Sequence, residues 1–148
     1  MANFTLKALI NAPIETVFDV LTDHRGYAGF TPLRSVSLER EGDPAPNGVG
    51  AVRVLRLAGP PIREEVTEYA RPSRFAYKLL SGAPTRDHVG IVDLVQEAGG
   101  TRANYRVETF PTVPSFLAPV AVGVSRIVIS QLFNGIKKRS EQLAGNRP

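Results

Sequence analysis

The sequence predicts an α+β fold: a seven-stranded antiparallel sheet curved around one long C-terminal helix, with two short helices after the first strand. Three observations carry this prediction. Apolar and polar residues alternate from Asn3 to Ile10, and a period of two resumes from Leu33. Between those stretches, Ile14, Val17, Phe18 and Leu21 recur at helical spacing. The chain then closes on one apolar segment, from Pro119 to Gly145.

The first strand puts Phe4, Leu6, Ala8 and Ile10 on one face and Asn3, Thr5 and Lys7 on the other, the pattern of a half-buried strand. Ala12-Pro13 opens the first helix, because proline's fixed φ suits a first helical position and its missing N–H is unpaired there anyway. Asp23-His24-Arg25-Gly26 breaks that helix, and Tyr27 to Phe30 forms a second short one before Pro32. Strands are expected at Val36–Arg40, Val49–Leu57, Ile62–Tyr69, Phe75–Leu80, His88–Val95 and Arg102–Phe110. The intervening stretches are rich in turn residues: 42–48, Gly59-Pro60-Pro61, Arg71-Pro72-Ser73, Ser81-Gly82-Ala83-Pro84 and Gly99-Gly100. Serial hairpins of this kind make an antiparallel meander.

The last element is a helix about 40 Å long at 1.5 Å per residue, with Pro119 in its first turn and Gly145 just past its end. Val122, Ser125, Ile129, Leu132, Phe133, Ile136 and Leu143 share the face expected on the sheet. Val120, Val124, Ile127 and Val128 lie opposite, so a loop, a homodimer partner or a membrane surface is expected to cover them.

Composition bounds the function. At 148 residues, 43% hydrophobic and 22% charged, the chain is long enough for one buried core and is read as one domain over 1–148. It has no cysteine, which excludes disulfides, thiolate-bound zinc and cysteine nucleophiles and fits a reducing compartment. The first residues lack the basic and apolar regions of a secretion signal, so a cytoplasmic location is expected. The most apolar run, Phe116 to Ile129, is interrupted by Ser125 and Arg126 and is read as a buried helix, with no integral membrane association. Net charge is +4, but the cations are scattered, and the cluster Lys137-Lys138-Arg139 sits where a helix end favours positive charge. Without a basic stripe carrying interleaved aromatics, nucleic acid is not an expected partner. His24 and His88, the only histidines, are far apart without clustered carboxylates, so no metal site is expected; His24 is read as exposed, and His88 as a strand-end surface residue, with the pocket mouth as its alternative. No phosphate-binding glycine loop, nucleophile elbow or cofactor signature is present in the sequence.

The order of these segments resembles the START-related, polyketide-cyclase and pollen-allergen superfamily (SRPBCC, helix-grip fold), closest to its bacterial polyketide cyclase/dehydrase-like branch. The resemblance spans essentially the whole chain. It rests on residues 10–21, on Glu65-Val66-Thr67-Glu68-Tyr69 leading to residues 71–77, on Leu80-Ser81-Gly82-Ala83-Pro84, on Gly99-Gly100-Thr101-Arg102 and on the terminal helix. It implies a cavity between the concave sheet and the last helix. The residues agree: Phe75, Tyr77 and Leu79 share one strand face, Val92 and Leu94 another, and Ala103, Tyr105 and Val107 a third. With Val66 and the helical positions Ile129, Leu132, Phe133 and Ile136, these are the candidate apolar lining. Arg53, Glu64 and Glu68 are the polar candidates, since both glutamates fall two positions from Val66 and are expected to point inward with it.

The expected function is binding of a small hydrophobic, lipid- or polyketide-like molecule. Two alternatives stand beside it. One is a polyketide cyclase or dehydratase, in which burial raises a pocket carboxylate's pKa and Arg53, Tyr77 and Tyr105 donate to an enolate oxygen. The other is an interaction protein that presents a basic surface.

Overall fold

The computed structural model describes residues 2–29 and 33–145. Seven strands run in chain order: β1 Ala2–Ile10, β2 Ser35–Arg40, β3 Val52–Arg56, β4 Ile62–Ala70, β5 Arg74–Ser81, β6 Thr85–Glu97 and β7 Gly100–Pro111. They form one antiparallel sheet in the order β1-β7-β6-β5-β4-β3-β2. The long terminal helix, α2, spans Ala118–Gly145. The expected helix-grip architecture is therefore the one observed.

Strands β1 and β2 occupy opposite edges of the sheet, so the chain between them must cross it. It does so through α1, Ile14–Thr22, and a 3-10 segment, His24–Gly29, which takes the place of the expected second short helix. The Phe30 and Pro32 end of that expectation lies outside the described residues. Pro13 sits just before the first turn of α1 in an extended conformation, and Val17, Phe18, Val20 and Leu21 are buried. The Tyr27 hydroxyl donates to the Leu21 carbonyl and fastens the 3-10 segment to the helix end.

Helix α2 grips the sheet unevenly. From Ile129 onward it buries Ile129, Phe133, Ile136 and Ser140, one stripe at helical spacing. The Tyr105 ring meets Phe133 edge-on with centroids 5.9 Å apart, a favourable aromatic geometry. Glu141 accepts from the Asn11 backbone N–H at 2.9 Å and from Lys137 Nζ, which ties the helix end to the β1–α1 connection. The first half differs from expectation. Phe116 to Ile127 is not a buried helix: Phe116, Val120, Val124 and Ile127 are 77%, 62%, 56% and 61% exposed. By length and composition the helix is also apolar enough to cross a membrane, contrary to the sequence reading.

Candidate ligand cavity

A cavity of about 410 Å³ lies between the concave sheet and the first half of α2, within the usual size range of small-molecule sites. Its walls follow from the period of two. Strand β3 contributes Arg53 and Leu55, β4 contributes Ile62 and Glu64, and β5 contributes Tyr77 and Leu79. From β6 and β7 come His88, Tyr105 and Thr109, and from α2 come Val122, Ser125, Ile129 and Leu132. Burial grades along the cavity. Arg53, Glu64, Tyr77, Tyr105, His88 and Thr109 are buried, whereas the lining residues Ala83, Pro84 and Val124 are exposed. The cavity therefore opens between the β5–β6 turn and the start of α2, where Thr85 and Thr109 bond each other, and Arg53, Glu64, Tyr77, Tyr105 and His88 are its other buried polar groups.

Arg53 is the centre of this second group. Its side chain is 2% exposed, and Nη2 and Nε donate to Glu64 Oε1 at 2.9 and 3.1 Å. The guanidinium carbon lies 4.7 Å from the Tyr77 ring centre and 5.4 Å from that of Phe75, so two aromatic faces share its charge. Nη1 makes no hydrogen bond of good geometry among the described residues, and the Tyr27 hydroxyl lies beside the guanidinium. Burial opposes the charge, but Glu64 and then Tyr27, Tyr77 and Tyr105 outweigh it and hold Arg53 protonated. The Tyr77 and Tyr105 hydroxyls hydrogen-bond each other beside it. Burial pushes the Tyr77 and Tyr105 phenols up, and pushes the Tyr27 phenol up to about 12, so all three are neutral at physiological pH.

Tyr77 reaches this position because its partner in the ladder is Gly90. A Cβ at Gly90 would stand 2.4 Å from the Tyr77 ring, so only glycine lets the ring lie across β6. Sequence reasoning missed this residue, although a glycine inside an alternating strand is the signal for such an approach.

Both histidines depart from the surface placement expected of them. His88 is 7% exposed and lines the cavity, its ring 6.3 Å from that of Tyr77. Counting back by twos from Leu94 and Val92 leads to Gly90 and His88, so the alternation itself carries His88 inward. Burial lowers its pKa, against an opposing pull from Glu64. His24 is fully buried between Tyr27 and Phe75, and neither ring nitrogen has a partner at hydrogen-bond geometry. Burial and then Arg53 hold its pKa well below 6.5, with Asn47 the neighbour that favours the proton.

Of the lining expected from sequence, Tyr77, Leu79, Tyr105, Ile129, Leu132, Arg53 and Glu64 border the cavity. Val66, Phe75, Val92, Leu94, Val107, Phe133 and Ile136 instead pack into the solid core, where side chains from facing elements fill the space. Glu68 points outward and pairs with Arg74 at 3.6 Å. The cause is a register shift between Val66 and Glu68, where one extra residue reverses the alternation. Val124 and Val128, placed by the sequence on the outer face, line the cavity with Ala121.

The family profile for polyketide cyclase/dehydrase and lipid transport matches residues 1–141. The chain belongs to this family. The solved structures share its helix-grip fold. The Zhui aromatase/cyclase from a Streptomyces species superposes with a TM-score of 0.75 at 20% identity, covering 95% of this chain and 94% of that one. A START superfamily protein from Mycobacterium smegmatis gives 0.75 at 15% identity, covering 95% and 98%. A protein from Thermus thermophilus gives 0.76 at 19% identity, covering 99% and 100%. At these identities the likeness is one of fold. Among curated proteins, none matches the chain.

Proposed function

We propose that the protein holds a small, mostly apolar molecule in the cavity beneath α2, with one oxygen-bearing end seated at Arg53. The observation that carries this reading is a buried guanidinium, with Nη1 lacking a hydrogen bond of good geometry, bordering a mostly apolar cavity. A buried donor left unsatisfied costs about 1–3 kcal/mol, which an oxygen of the ligand recovers. The apolar walls supply affinity at roughly 25 cal/mol per Å² of apolar surface removed from water. The Tyr77 and Tyr105 hydroxyls lie beside Arg53, and since one donates to the other, the pair keeps one O–H free as a further donor. A phenol, ketone or carboxylate on a hydrophobic frame fits this pattern.

The test is a thermal-shift screen of hydrophobic phenols, ketones and medium-chain acids, repeated on Leu132→Trp, which fills the cavity. Wild type gains stability with oxygen-bearing members and not with matched hydrocarbons, and Leu132→Trp loses the response. Equal shifts in both proteins, or none in either, overturn the reading.

A second reading, cyclisation or dehydration of a polyketide-like substrate, is favoured by one observation. His88, its pKa lowered by burial, borders the same cavity as Arg53 and the two tyrosines. A neutral imidazole removes a proton from an acidic carbon, and the guanidinium and phenols stabilise the enolate oxygen that results. Glu64, the carboxylate expected to serve as base, is committed to Arg53. If the protein is an enzyme, His88→Gln abolishes turnover of a poly-β-ketone substrate and preserves its binding. Unchanged turnover removes this reading.

A further inference from the structure

Strand β6 carries one extra residue at the cavity mouth. Between Arg86 and Val89 it advances three residues while β7 advances two, from Phe110 to Glu108. Asp87 takes up the difference with a φ of 50°, in the left-handed region that aspartate tolerates better than most residues. The bulge reverses the alternation. Beyond it His88 lines the cavity, and before it Thr85 does. An unbroken period of two would turn Arg86 inward with His88. Instead Arg86 is exposed, over the Phe110 ring at 5.0 Å and 3.3 Å from Asp87. Thr85 meets buried Thr109 of β7, hydroxyl to hydroxyl. The lining residues around that pair are Ala83, Pro84 and Pro111, so among the described residues this end carries hydroxyls and no charge.

We propose that the Thr85–Thr109 pair is a second polar subsite, which seats a neutral hydroxyl at the end of the ligand away from Arg53. This rests on the cavity reading above and narrows its ligand to an elongated molecule with oxygen at both ends. Proton counting favours a hydroxyl. One threonine donates to the other, which leaves one proton and three lone pairs for further bonds. The remaining proton goes either to the ligand or to the Arg86 carbonyl, 3.5 Å from Thr85 Oγ1. A hydroxyl both donates and accepts, so it is served by either arrangement, whereas a ketone is served by one. A carboxylate or an amine at this end would meet no counter-charge, because the bulge has turned Arg86 away. The Arg53 guanidinium lies over Tyr77 of β5, two strands from Thr109 on β7. At ~4.8 Å per strand the two ligand oxygens stand about 10 Å apart.

The experiment is calorimetric titration with para-pentylphenol and with its para-(ω-hydroxybutyl) analogue. The two have the same length and differ only in a terminal methyl or hydroxyl. Wild type binds both. In Thr109→Val, which keeps the side-chain shape, the affinity for the hydroxyl compound falls about five-fold or more relative to para-pentylphenol. Binding of para-pentylphenol is kept and shows that the variant is folded. Thr85→Val, at a half-buried position, shifts the ratio the same way and decides the matter if Thr109→Val does not fold. An unchanged ratio in the folded variants overturns the subsite and leaves the cavity reading standing, since para-pentylphenol still binds. Failure of wild type to bind either phenol overturns both.

Discussion

Replacing Glu64 by glutamine is the perturbation that the structure specifies most sharply. The substitution keeps the shape and one acceptor oxygen, and it removes the carboxylate bonded to a guanidinium that is 2% exposed. Removing one partner of a buried ion pair costs about 3–5 kcal/mol, because the remaining charge is left uncompensated. The rings of Tyr77 and Phe75 still face Arg53, at 4.7 and 5.4 Å, and contribute part of the stabilisation. The expected loss is therefore near the lower bound, about 3 kcal/mol. Arg53→Met combined with Glu64→Leu leaves no buried charge, and its stability returns to within about 1 kcal/mol of wild type. The assay is reversible urea unfolding followed by far-UV circular dichroism, since the chain has no tryptophan to report. A Glu64→Gln loss below about 1 kcal/mol, or a double variant as unstable as the single one, refutes the reasoning.

Other outcomes follow from the same contacts. Buried His24 has its pKa depressed in the folded state by burial and Arg53, so the unfolded chain takes up a proton first as pH falls below 6.5. Stability is full above that value and is lost toward acid pH at up to about 1.4 kcal/mol per pH unit. His24→Phe flattens this slope in urea titrations between neutral and acid pH, and an unchanged slope contradicts the assignment. Gly90→Ala drives a Cβ into the Tyr77 ring and costs about 1–3 kcal/mol while weakening ligand binding; wild-type values for both contradict the packing. Leu132 borders the cavity, so Leu132→Ala costs about 2 kcal/mol, the bottom of the usual range, whereas Phe133→Ala costs about 3–5. Equal losses show that Leu132 is packed as tightly as Phe133.

Most of the fold was legible because the strands keep their alternation between turns rich in glycine and proline. Ile62–Ala70, Arg74–Ser81 and Gly100–Pro111 fall within one or two residues of the periodic stretches. The candidate site was legible at Tyr105, where β7 alternates cleanly, and Arg53, Glu64 and Tyr77 also border the cavity as expected, although β3 and β5 bury consecutive residues and the register shifts beside Glu64. It failed at Glu68, because a bulge adds one residue to the strand and nothing in the side-chain pattern marks it. It also failed at His88, where a general preference for surface histidines was set above the alternation that placed it inside. Phe75 and Val92 share inward faces with true lining residues, yet they fill the core. Where along a strand the solid core gives way to a cavity depends on how α1 and α2 fill the concavity, which period alone does not encode. The exposed face of α2 was visible in the sequence. Its position beside the cavity mouth was not.

The most direct test of an oriented ligand in the cavity is an NMR titration of ¹⁵N-labelled protein with the compound that gives the largest thermal shift. The expected result is saturable one-to-one perturbation centred on Arg53, Glu64, Tyr77, Tyr105 and Leu132, with the Arg53 Nε–H resonance moving furthest. Perturbations confined to the outer sheet face, or none at saturating ligand, contradict it.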